Sequence, residues 1–142
     1  DPSQTGKEDS GQIPSSIVKR LREQGIDSKI DLYLSISNQP NFSKIRKKLD
    51  ASPKGFMTQV IQNIKQVQDL SENLKGFSII PILLYPSPKN EKSAKFLNLD
   101  LASYGQEFEE LLKKTQEITG DVLLTSPSDF SSLNEFLEKS NN

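Results

Sequence analysis

The run Phe77-Ser78-Ile79-Ile80-Pro81-Ile82-Leu83-Leu84-Tyr85 constrains the fold of this chain more than any other stretch. It is apolar almost without a break, entered through Lys75-Gly76 and closed by Pro86-Ser87-Pro88. A short, Ile-rich run between turn residues reads as a strand buried on both faces. Such strands sit in the middle of α/β sheets, with helices to either side. Pro81 adds a condition. It has no N–H to give to a ladder, so the strand must be bulged there or have an edge free at that point.

The rest of the chain can be read as cover or partner for this strand. Ile30-Asp31-Leu32-Tyr33-Leu34-Ser35-Ile36 alternates strictly, the pattern of a half-buried strand. Asp121-Val122-Leu123-Leu124-Thr125, released by Gly120, reads as a third. Ile13, Ile17, Val18 and Leu21 recur at helical spacing between Pro14 and Gly25, which predicts a helix over 14–24. Phe42, Ile45 and Leu49 predict a short helix. Phe56, Met57, Val60, Ile61, Ile64, Val67, Leu70 and Leu74 form one stripe and predict a helix over 56–74. A further helix is expected over 106–118, its acids early and its lysines late, as the helix dipole favours. Ser126-Pro127-Ser128-Asp129 reads as N-cap, first helical position and acidic third residue of a last helix carrying Phe130, Leu133, Phe136 and Leu137. Within 87–103 the pattern stays open: Phe96, Leu97, Leu99 and Leu101 suit an extended segment, an edge strand or part of a helix.

Strands separated by helices form βαβ units with right-handed crossovers. The expected fold is therefore α/β: a small three-layer domain with a short, mostly parallel sheet of three or four strands flanked by helices. Residues 13–139 are expected to form a single domain. Residues 1–12 have no apolar anchor and read as a disordered leader, and 140–142 as a frayed tail. The start, Asp1-Pro2-Ser3, suits a processed mature protein or an excised piece.

Composition narrows the chemistry. The chain has no Cys and no His. That excludes, within it, thiolate nucleophiles, the usual zinc sites, haem, iron–sulfur clusters and Ser-His-Asp triads. An oxygen-only site for Mg²⁺ or Ca²⁺ stays open. Disulfides are impossible, so cysteine usage does not place the chain in any compartment. Lys and Arg number 18 against 19 Asp and Glu, a net charge of -1 that gives no global attraction to nucleic acid or an anionic membrane. No stretch approaches the roughly 20 apolar residues of a membrane-spanning helix. Apolar residues make up only 33% of the chain and mean hydropathy is -0.57, so the core is modest.

Candidate ligand-binding residues follow from the rule that open parallel sheets bind beyond the carboxyl ends of their strands. Those ends supply Ser37 and Asn38, then Ser87 and Lys89, then Thr125, Ser126 and Asp129. The set could hold a phosphate, a sugar or hydrated Mg²⁺, although Ser, Asn and Pro after a strand are also ordinary turn and cap residues. No nucleotide-binding signature is present, and Ser52-Pro53-Lys54-Gly55 follows a helix-like stretch rather than a strand. Lys44, Arg46, Lys47, Lys48 and Lys54 make a basic cluster without interleaved aromatics, which reads as a solvated helix face. Glu107 and Glu110, three apart, read the same way.

Thr119-Gly120-Asp121-Val122-Leu123-Leu124, with Asp129 and the helix after it, resembles the closing unit of von Willebrand A-type domains. The first strand ends in Ser35-Ile36-Ser37, where that family's metal motif supplies an Asp. No family assignment follows.

The leading expectation is a non-catalytic interaction module or accessory subunit that binds another protein and needs no cofactor. Its structural mark would be an exposed apolar patch on one side of the sheet, involving residues 96–101. The alternative is a small-molecule, phosphate or Mg²⁺-dependent binding protein or enzyme that uses the strand tips. Its mark would be a concave pocket there with Asp129 or Lys89 turned inward.

Overall fold

The computed structural model describes Arg20, Glu23 and residues 31–141. Four parallel strands form one sheet: β1 (Tyr33–Ile36), β2 (Gly55–Val60), β3 (Ser78–Leu84) and β4 (Leu123–Thr125). Their spatial order is β1-β2-β3-β4, the order of the sequence. The helices are α1 (Arg46–Asp50), α2 (Ile64–Asn73), α3 (Glu91–Phe96), α4 (Leu101–Gln106), α5 (Phe108–Thr119) and α6 (Phe130–Ser140). Short 3₁₀ turns precede α1 and α3. The small α/β domain with a parallel sheet and flanking helices is as the sequence predicts.

The apolar run at 77–85 is the inner strand β3, hydrogen-bonded to β2 on one side and β4 on the other. Pro81 is accommodated by a bulge. Met57 pairs with Ile80, but Val60 and not Gln59 pairs with Ile82, so β2 carries one extra residue opposite the proline. Thr58 repairs the ladder there. Its Oγ1 accepts the Ile82 N–H at 3.1 Å and donates to the Gln59 carbonyl at 2.6 Å.

The helix expected over 56–74 is corrected. Its first part is β2, and only Ile64–Asn73 is helical. The apolar residues at 56, 57, 60 and 61 satisfy a helical stripe, yet Thr58, Val60 and Ile61 are β-branched and suit a strand. Asn63 marks the true start: it is extended, and its side chain accepts the Gln66 N–H at 3.2 Å. The open segment 87–103 resolves into α3, the start of α4 and the turns around them. At the last helix the cap is Asp129, not Ser126, and the helix begins at Phe130. The helix expected over 14–24 and the leader 1–12 lie outside the described residues, except that Arg20 and Glu23 have helical backbone and exposed side chains.

With strands in sequence order, right-handed crossovers carry every connecting helix to the same face. That face holds Leu34, Ile36, Phe56, Ile79 and Leu83, all buried, and meets Val67 and Leu70 of α2 and Phe108 and Leu111 of α5 in one core. Aromatic edges close its upper end. Tyr85 lies 5.7 Å from Phe108 and 5.4 Å from Phe136, centroid to centroid.

The opposite face differs. In register it carries Tyr33 and Ser35 of β1, Met57 of β2, Ile80, Ile82 and Leu84 of β3, and Leu123 and Thr125 of β4. Leu84 is buried, but Tyr33, Met57, Ile80 and Ile82 are only partly covered, and Leu123 is 43% exposed. None of these five belongs to the core or packs against it. Among the described residues, α2, α5 and α6 pack on the first face.

Candidate functional site

The strand tips divide into two groups. At β1, the Asn38 side chain donates to the Val60 carbonyl at 2.7 Å, and the Ser37 hydroxyl accepts the Gln39 N–H at 3.1 Å. At β3 and β4, Ser87, Asn90, Ser126 and Asp129 form one network. The Ser87 hydroxyl donates to Asp129. The Asn90 amide donates to the Tyr85 carbonyl and to the Ser126 hydroxyl, each at 2.9 Å, and its oxygen accepts the Ser128 N–H at 2.9 Å. The Ser126 hydroxyl donates to the Asp129 carbonyl at 2.7 Å. The other Asp129 carboxylate oxygen accepts the Ser132 N–H at 3.2 Å and so caps α6.

Three members of this network are buried and Ser126 is partly so. Asn90 has no exposed surface, Ser87 is buried, and Asp129 is 8% exposed. Hydrogen bonds from Ser87 and then Ser132 hold the Asp129 carboxyl below the usual carboxylate range, against the opposing effect of burial. Its charge is spent on the turn and the helix start. Lys89 is exposed, its backbone N–H bonded to the Ser87 hydroxyl at 3.2 Å, and Thr125 is half-buried with its carbonyl accepting the Tyr85 N–H. The structure thus brings Ser87, Ser126 and Asp129 together, with Lys89 and Thr125 beside them. Ser37 and Asn38 stand apart. From β1 to β4 is three strand spacings, roughly 14 Å. The strand order never reverses, so the sheet has no switch-point crevice between diverging crossovers. Among the described residues no three Asp, Glu, His or Cys side chains converge.

Two residues of the basic cluster and one of the two acids have structural partners. Lys54 pairs with Asp31 at 3.0 Å, the Lys48 ammonium donates to the Ser35 carbonyl, and Glu110 pairs with Lys114 at 3.4 Å.

Two concave surfaces matter more. A cleft of about 390 Å³ lies between the start of α2 and the α4–α5 junction, bounded by Gln62, Asn63, Tyr104, Glu107 and Lys114. The Tyr104 hydroxyl is not offered to it. It donates to the Leu84 carbonyl at 2.6 Å, and burial raises its pKa far above the usual phenol value. The second surface is a mainly apolar groove of about 450 Å³ at the carboxyl end of the open sheet face. Val60, Leu84 and Thr125 form its floor, and Phe96 and Leu97 of the α3 end form its wall. Phe96 is 88% exposed. Leu84 and Thr125 are one pleat above Ile82 and Leu123, so the groove runs on into the open face.

Of the segment 96–101, whose exposure would mark a contact surface, Phe96 is exposed and Leu97 half-buried, while Leu101 is buried and Leu99 packs on the core. Val60 was missed because it was read into a helix. Its signal was the turn Ser52-Pro53-Lys54-Gly55 immediately before a β-branched run.

Comparison with family models, with curated proteins and with solved structures returns no match. Among the described residues, no helix is long and apolar enough to cross a membrane.

Proposed function

We propose that this chain is a non-catalytic interaction module that docks another protein through the groove beside Phe96 and the adjoining open face at β4. The observation that carries this reading is a phenylalanine 88% exposed at the rim of an apolar groove, in a chain with few apolar residues to leave outside. A single exposed aromatic is ordinary, but one at the rim of an apolar groove, with Leu123 exposed nearby, supports a contact surface. Lys92 lines the groove, and Lys89 and Lys95 lie along the same short stretch, all three exposed. The fitting partner presents an apolar anchor residue flanked by carboxylates. The polar tip residues, by contrast, bond to one another and support the turn.

The test is affinity capture with the intact chain, run in parallel with Phe96→Glu and Leu123→Glu. A partner held by the native chain and lost from both variants, whose melting temperatures match the parent, supports the reading. A partner indifferent to both substitutions overturns it. So does a melt that Mg²⁺ or a sugar phosphate raises by several degrees, the shift expected near 100 times a dissociation constant.

A further inference from the structure

We infer that the partner docked at the Phe96 groove is a second copy of this chain, each copy laying the outer side of α6 against the groove of the other. This rests on the docking role above and names its partner.

The groove suits an apolar anchor flanked by carboxylates, and α6 presents one. Phe130 and Leu137 stand two turns apart on one side of that helix, about 10 Å from each other along its axis. They are 73% and 40% exposed, whereas Leu133 between them is buried. Glu135 and Glu138, both exposed, lie beside Leu137.

The groove carries the opposite sign. Lys92 lines it, and Lys95 is exposed one turn further along α3, next to Phe96. Among the described residues, none of Lys92, Lys95, Glu135 and Glu138 has an ion-pair partner of its own. Facing patches of opposite charge set the register of a contact and speed its formation. A net charge of -1 leaves little overall repulsion to keep two copies apart.

The two surfaces are also neighbours. Pro127 lines the groove and Phe130 follows three residues on, so their Cα atoms lie within about 11 Å. Groove and helix side thus form one patch, which two copies related by a two-fold axis present to each other at once. Each contact is then made twice, and the pair closes on itself.

Light-scattering mass, measured on the intact chain over a wide range of concentration, tests this. The mass should rise from 15.9 kDa toward twice that value. Phe96→Glu and Phe130→Ser should each weaken the association about tenfold or more. Lys47→Glu, on α1 and so at the β1–β2 side of the sheet, should leave it unchanged. Lys92→Glu combined with Lys95→Glu should abolish association, as should Glu135→Lys combined with Glu138→Lys. Mixing these two double variants should restore it, because each groove then meets a helix of opposite charge. A mass that stays at the monomer value overturns the inference. So does an association indifferent to Phe96→Glu and Phe130→Ser, and so does a lack of recovery on mixing. None of these outcomes bears on capture of a different protein through Phe96, so the docking role and the identity of its partner fail separately.

Discussion

A methyl group on Gly55 would stand 2.2 Å from the Ser78 carbonyl oxygen and 2.7 Å from its Cβ. Neither neighbour can yield, since Ser78 is held in β3 as the register partner of Gly55. Gly55→Ala is expected to cost about 1–3 kcal/mol through overpacking, read as a lower denaturant midpoint. Thr115 is the opposite case. Its hydroxyl is fully buried in α5 without a hydrogen-bond partner. Thr115→Val keeps the shape and removes the unsatisfied group, so it should hold or raise stability by about 1 kcal/mol. A clear loss would mean that the hydroxyl has a use. Asp129 gives a pH dependence. Its carboxyl titrates below the usual range when folded, so its stabilising effect is complete above the ordinary carboxylate pKa and fades as pH falls through the lower folded value. The melting-temperature gap between the parent and Asp129→Asn should be open at neutral pH and close in acid.

Among elements, the β2–β3 bulge is the most instructive. Pro81 made a bulge or a free edge necessary, and this much was legible in the sequence because proline lacks a donor wherever it sits. Which side chain would repair the ladder was not, since Thr58 lies in a segment whose apolar spacing satisfies two periods at once. Thr58→Val should leave the Ile82 N–H without its acceptor at a cost of about 1–3 kcal/mol, measured by equilibrium unfolding. The inner strand, α5 and α6 were readable for plain reasons: the strand is an almost unbroken apolar run entered through Gly76, and each helix has one period, α5 stopped at Gly120. The tips were readable as residue types but not as a site. Nothing local in Ser87 or Ser126 reveals that each would bond to Asp129, or that Asn90, in a 3₁₀ turn of its own, would bond to Ser126. Strand order is a property of the whole sheet, and it alone decides that Ser37 and Asn38 lie far from Asp129.

At the scale of the molecule the two faces of the sheet set the behaviour. One is sealed by α2, α5 and α6; on the other, Leu123 is 43% exposed on the β4 side, near the Phe96 groove. Phe96 is largely exposed, so Phe96→Glu should change stability by no more than about 0.5 kcal/mol, while lowering retention on a hydrophobic-interaction column. A large fall in melting temperature would mean that Phe96 is a core residue. The strands also taper. Six-residue β2 and seven-residue β3 lie between four-residue β1 and three-residue β4. Short outer strands offer few unpaired backbone groups to another chain, which is one way native sheets avoid growing edge to edge. Crowding should therefore press copies together face to face, giving small clusters that Leu123→Glu disperses, and not threads that lengthen strand by strand.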